Sequence, residues 1–276
     1  MDIVPFEDLK KFHFQNAKSF LAISFAISNW SATADDKNLP NIPKFELIKT
    51  FSCYDTYGFK YRKYGALYFS NELNMALISF SGTEFTSEWI DDFDCRQTNP
   101  TDITNDSSIF VHLQHYNIYN SFREDLHKCL NDTINENTIV VCIGHSLGGS
   151  SVSICFFDII INNLAKYRTL YTFGAPRTGN TEYATILTQE DTVMRVCNTA
   201  DLTISVPPPI INKEIFTHYG GEKVISFTKN LNSYTANHCD AYTQWFEEKV
   251  EKIEKVENLK NYSLSNLYSS INNLFN

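Results

Sequence analysis

The chain has 276 residues, 43% hydrophobic and 20% charged, the balance of a globular protein long enough for one large core. Its 23 basic and 32 acidic residues give a formal net charge of −9, which leaves no electrostatic footprint for nucleic acid or for a strongly anionic membrane. Its seven cysteines stand far apart with no C-x-x-C pair, which argues against a zinc site or a disulfide framework; no metal or cofactor is expected.

In chain order, apolar residues from about Glu7 to Trp30 recur at helical spacing, with Ala17, Phe20, Leu21, Ser24 and Ile27 on one side, and predict a long helix packed on the body. Within it, Phe20 to Ile27 precedes Ala32-Thr33-Ala34, the outline of a signal peptide. Ser24 interrupts the apolar run, and Glu7 and Asp8 lie in the long segment before it. A cytoplasmic location, or one peripheral to lipid surfaces, is therefore expected over secretion, and no stretch reaches transmembrane length. After a loop at Asn38 to Pro43, the β-rich runs Tyr64 to Ser70 and Met75 to Phe80 predict a hairpin through Asn71-Glu72-Leu73-Asn74.

The second run leads into Ser81-Gly82-Thr83-Glu84 and a polar stretch reaching about Ile109. Phe85, Trp89 and Phe93 recur there every four residues among acidic neighbours, a short amphipathic helix that periodicity alone reads as a surface helix docked on the core. Beyond it, a helix over about Tyr116 to Leu130, a strand at Ile139 to Ile143 and a helix from Gly148 to about Ala165 are expected. Strands at Thr169 to Phe173, Val193 to Cys197 and Val224 to Phe227 follow, then a helix from Ala241 to Val256. Strands alternating with helices predict a mostly parallel sheet with crossover connections. The tail, about 258–276, reads as an amphipathic helix that packs back on a single domain spanning 1–276.

Gly144-His145-Ser146-Leu147-Gly148-Gly149 joins an apolar strand to an apolar helix, the context a G-x-S-x-G nucleophile turn requires; a glycine-rich helix start with a capping serine is the competing reading. A serine hydroxyl needs a base to take its proton, and the base needs an acid to hold its tautomer. Asp201, just past the strand ending at Cys197, suits the acid, whereas Asp191 precedes that strand. Two histidines follow Asp201. His238 comes after the last strand, on the catalytic edge of a parallel sheet, and is chosen over His218, which precedes that strand and is expected to give hydrogen-bonded support. The amide of Leu147, next to Ser146, and Thr83, in the loop after an earlier strand, are candidate donors to an oxyanion.

Together these residues resemble the class 3 (fungal-type) lipase family of α/β-hydrolases. SFSGTE with the following WIDDF is similar to the family's oxyanion strand and lid, GHSLGG to its nucleophile elbow and TFGAPRTGN to the segment after it. RVCNTADLTISVPPP is similar to the acid loop, FTHYGGEKV to the non-catalytic histidine segment and NHCDAY to the catalytic histidine turn. The six motifs fall in the family's order between about Ala66 and Trp245. Ser81 departs from it where many members carry arginine, and the residues after Val111-His112 lack the usual glycine.

The resemblance implies an α/β-hydrolase fold with a mostly parallel central sheet flanked by helices. It turns about 84–95, with Phe85, Trp89 and Phe93, into a lid. It also implies a Ser146-His238-Asp201 hydrolase of lipid esters at a lipid–water interface, triacylglycerol lipase-like, with phospholipase A1 or small-ester esterase as the alternative. A non-catalytic lipid-binding protein of lipase-like fold is the reading from another class. Activity is expected to fall below about pH 6.5, where histidine protonates.

Overall fold

The computed structural model describes residues 1–55, 60–82, 95–230 and 233–252. The predicted lid and tail, with Thr83, Phe85, Trp89 and Phe93, lie outside the described residues.

The body is a seven-stranded sheet in the order β1-β2-β3-β6-β7-β8-β11. β1 (Glu46–Asp55), β2 (Lys60–Ser70) and β3 (Met75–Phe80) form an antiparallel meander. From β3 onward the pairing is parallel, through β6 (Ile139–His145), β7 (Tyr167–Phe173), β8 (Val193–Asn198) and β11 (Glu222–Ile225). Two two-stranded pairs lie apart from this sheet, β4 (Gln97–Thr98) with β5 (Val111–His112) and β9 (Ile210–Ile211) with β10 (Glu214–Ile215).

The central strands bury both faces, so they read as unbroken apolar runs rather than alternating ones. Leu77, Val141, Ile143 and Tyr171 face one core with Phe20, Ile23 and Ile27 of α1 (Phe14–Thr33). Their neighbours Ile78, Val140, Cys142 and Leu170 face the other core. That second core is closed by α2 (Leu113–Asn120), α3 (Arg123–Thr133), α4 (Leu147–Ile161) and α5 (Thr181–Thr188). The five residues expected on the inner side of α1 are all buried.

Several expected boundaries are corrected. α1 starts at Phe14, not Glu7, because the His13 ring accepts the Asn16 amide at 3.2 Å as a cap, while the Asn16 side chain pairs with both main-chain groups of Val4. The single helix expected over Tyr116 to Leu130 is two helices. Phe122 breaks it at φ −131 to place its ring against Phe51 at 5.3 Å and Phe80 at 5.2 Å. The helix expected to reach Ala165 ends at Ile161, and the last strand runs Glu222–Ile225 rather than Val224 to Phe227. β1 went unread because two register irregularities, at Leu47/Lys49 and Phe51/Ser52, break its alternation.

Candidate active site

Three connections at the C-terminal edge of the parallel strands carry the candidate site residues. The first is the turn from β6 into α4, where Ser146 adopts φ 60 and ψ −132, a conformation that L residues avoid at a cost of about 1–3 kcal/mol. Close packing imposes it. A Cβ on Gly144 would lie 2.4 Å from the Gly148 carbonyl oxygen, and one on Gly148 would lie 2.3 Å from that of Phe80. Ser146 Oγ is buried without a hydrogen-bond partner, and its main chain is fixed by donation to Phe173 O at 2.9 Å. Leu147 opens α4, so its amide belongs to the first turn, whose N–H groups have no partner within the helix and carry the positive end of its dipole.

The second connection follows β8. Asp201 is 2% exposed and caps the turn Leu202–Ser205, its Oδ1 accepting Thr203 N–H at 2.9 Å. The third is a π-helical turn, Ala236–Asp240, which leads into a helix over 241–252 and buries His238. Asp201 Oδ2 and His238 Nδ1 meet at 2.9 Å. A carboxylate only accepts, so Nδ1 carries the proton and Nε2 is left as the acceptor a general base needs.

Residues that the sequence reading passed over hold this pair. Tyr242, one turn past His238, donates to Asp201 Oδ2 at 2.9 Å and accepts Asn198 N–H at 2.9 Å. Thr203 Oγ1 lies 2.9 Å from His238 Nδ1 and also bonds Tyr234, whose ring stacks on His238 at 5.3 Å. His145 donates from Nε2 to the His238 carbonyl at 2.8 Å, with ring centroids 4.4 Å apart. The spacing D-x-T carried a turn-capping signal for Thr203, whereas nothing in the chain order marks Tyr234 or Tyr242.

Electrostatics follow from this packing. Burial works to raise the Asp201 carboxyl, but the charge and hydrogen bond of His238 and the donors of Thr203 outweigh it and hold the group below its ordinary value. Burial, then the neighbouring His238, pushes His145 down to about 3, so its ring is neutral near pH 7. His218 donates to the Ile204 carbonyl at 2.7 Å, and burial followed by Arg195 pushes it to about 3. It thus supports the loop that carries Asp201. Asp191 is on the surface, paired with Lys10 at 2.6 Å.

A cleft of about 500 Å³ opens beside His238, walled by Phe25, Ser28 and Ala32 of α1, by Arg62, by Ser81 and Gly82 after β3, and by Tyr234 and Cys239. Ser28 Oγ accepts Gly82 N–H at 2.9 Å and so pins the loop that leads to Thr83. Cys129, Cys142, Cys155, Cys197 and Cys239 are free thiols. Among the described residues no group of three His, Cys, Asp or Glu side chains could hold a metal ion, and no helix is long and apolar enough to cross a membrane.

The profile of the lipase (class 3) family matches residues 77–210, from β3 through the elbow and the Asp201 loop. Over these residues, just under half of its length, the chain is similar to the class 3 lipase family. Phospholipase A1-II 5 of Oryza sativa subsp. indica is 35% identical over 86 residues, 28% of this chain and 18% of that protein. Phospholipase A(1) DAD1, chloroplastic, of Arabidopsis thaliana is 28% identical over 156 residues, 50% of this chain and 35% of that protein. The chain thus spans well under half the length of either curated relative. The crystal structure of the mono- and diacylglycerol lipase from Aspergillus oryzae superposes with a TM-score of 0.63 at 20% identity, covering 80% of this chain and 82% of that one. The fold of the chain is accordingly the α/β-hydrolase fold, with the mostly parallel sheet flanked by helices.

Proposed function

We propose that this chain is a class 3 lipase, a serine carboxylester hydrolase acting on lipid esters through an acyl-enzyme. The observation that carries the reading is the buried 2.9 Å contact of His238 with Asp201, made across 37 residues of chain at the sheet edge where Ser146 is held at positive φ. Ser146 Oγ attacks the ester carbonyl while His238 Nε2 takes its proton, and Asp201 keeps the imidazole in the tautomer that can do so. The charge that develops on the carbonyl oxygen is met by the amide of Leu147 and by Thr83. Collapse expels the alcohol, protonated by His238. Water then attacks the acyl-enzyme by the same proton route and releases the fatty acid.

The named relatives include phospholipases A1 and a mono- and diacylglycerol lipase, which supports a glycerolipid ester as the substrate. The family resemblance gives the segment of Phe85, Trp89 and Phe93 the role of a lid at a lipid–water interface.

The test is p-nitrophenyl butyrate hydrolysis together with covalent labelling by a fluorophosphonate. Wild type is expected to hydrolyse and to label, and folded Ser146→Ala to do neither. An unlabelled wild type, or activity retained in the variant, overturns the reading in favour of a lipid-binding protein or a different nucleophile.

A further inference from the structure

We propose that Arg62 is an anion subsite of the cleft and binds the phosphate of a glycerophospholipid whose acyl ester is presented to Ser146. The inference rests on the hydrolase reading and narrows its substrate class.

Arg62 lies near the start of β2. Tyr64 O accepts Ser81 N–H at 2.7 Å, so Arg62, two residues back along the antiparallel strand, stands beyond the end of β3 on the side toward which Gly82 leads. It lines the same cleft as His238 and Gly82. Its guanidinium carbon is 5.4 Å from the centre of the buried Tyr64 ring, a contact that uses none of its N–H donors. Nε is buried without an acceptor, and among the described residues no carboxylate pairs with Arg62. The adjacent Lys63 is paired instead, with Asp36.

Burying an arginine N–H with no acceptor is costly, and a guanidinium in that state on a cleft wall still has its remaining N–H groups to offer a ligand. The rest of the described wall has no Lys, Arg, Asp or Glu, so nothing there competes for the guanidinium or repels an anion. An ester of glycerol with two or three acyl chains brings only neutral acceptors, which can take an N–H bond but leave the guanidinium charge unpaired. A glycerophospholipid carries a phosphate on the same short glycerol unit as its esters, and phosphate oxygens match the planar donor edge of arginine.

The test compares dioctanoyl phosphatidylglycerol with dioctanoylglycerol, both as dispersed short-chain substrates, for wild type, Arg62→Gln and Arg62→Lys. For Arg62→Gln, kcat/KM on the phospholipid is expected to fall at least tenfold further than on the diacylglycerol, with Arg62→Lys recovering part of the difference. Equal losses on the two substrates, or no loss on either, overturn the subsite. Inorganic phosphate and octanoate are added separately as competitors. Competition by phosphate that is lost in Arg62→Gln supports it, whereas competition by octanoate alone assigns the arginine to the released carboxylate and overturns the phosphate assignment. Fluorophosphonate labelling of each variant shows that it is folded and has a competent serine. If Ser146→Ala retains hydrolysis the underlying reading fails; if it is dead and the substrate ratio is unmoved, only the subsite fails.

Discussion

Asp201 and Asp158 are both buried carboxylates that accept a tyrosine hydroxyl and face an imidazole, yet they are built for opposite purposes. Asp158, on α4, is saturated. Its Oδ2 accepts Tyr119 at 2.5 Å, Arg123 Nε at 2.7 Å and His127 Nε2 at 2.7 Å, and its Oδ1 accepts Arg123 Nη2 at 3.1 Å and Asn162 at 2.6 Å. Asp201 has Tyr242, Thr203 and His238, and among the described residues no lysine or arginine bonds it. A permanent cation neutralises the first carboxylate in the resting protein. In the proposed mechanism the second faces a cation that exists only while His238 holds the proton of Ser146, so its charge lowers the cost of that transfer. The same residue type is thus a structural anchor where arginine completes it and a device for proton transfer where it does not.

Neutralising each carboxylate separates the two roles most sharply. Asp201→Asn should lower kcat on p-nitrophenyl butyrate by about 10³- to 10⁴-fold, because an amide can donate to Nδ1 and hold the wrong tautomer. Its denaturant midpoint should move little by comparison. Asp158→Asn should instead cost about 3–5 kcal/mol of stability, since it leaves Arg123 without its partner, while kcat per folded molecule stays within about twofold. Steady-state kinetics and urea unfolding on the same preparations check both.

Acid should reveal the anchor next. Burial works to raise Asp158, but the hydrogen bonds of His127, Arg123 and Tyr119 outweigh it and pull the group from its ordinary 3.8 to about 2. A depressed carboxylate stabilises the fold above its unfolded value and loses that contribution as pH falls through its folded value. Asp158 should therefore contribute about 2.5 kcal/mol near neutral pH, lost between roughly pH 4 and pH 2. The stability difference between wild type and Asp158→Asn, followed by urea unfolding across that range, should shrink as pH falls; a constant difference would break the assignment.

Removing the paired tyrosine hydroxyls gives the smallest effects. Tyr242→Phe strips a donor from Asp201 and an acceptor from Asn198 N–H, and kcat should fall about fivefold to twentyfold with a shifted pH–rate profile. Tyr119→Phe strips a donor from Asp158 and should cost about 1–2 kcal/mol with an unchanged profile.

The contrast also marks what sequence alone could carry. The strand–turn–helix around Ser146 was legible because tight turns demand glycine at fixed offsets, and the contact of Asp201 with His238 was legible because chain order restricts which loops reach one sheet edge. The Asp158 anchor was not, since Tyr119, Arg123, His127 and Asn162 lie on α2, α3 and the end of α4, whose juxtaposition depends on the helix break at Phe122. Arg62 and Ser28 were invisible for a similar reason. Their place in the cleft comes from the hairpin register and from the docking of α1, neither of which leaves a local pattern. β1 was hidden by its own irregularities, which erase the period of two that strand reading needs.

The π-helical turn under His238 has a further consequence. A π turn holds one residue more than an α turn, so Ala236–Asp240 acts as a one-residue insertion absorbed within a single turn. Downstream, Tyr242, Phe246 and Val250 keep their four-residue spacing and stay buried, so the helix keeps its seat in the core. The aim of the histidine is therefore set by the widened turn, while the seat of the helix in the core is set by the residues that follow it.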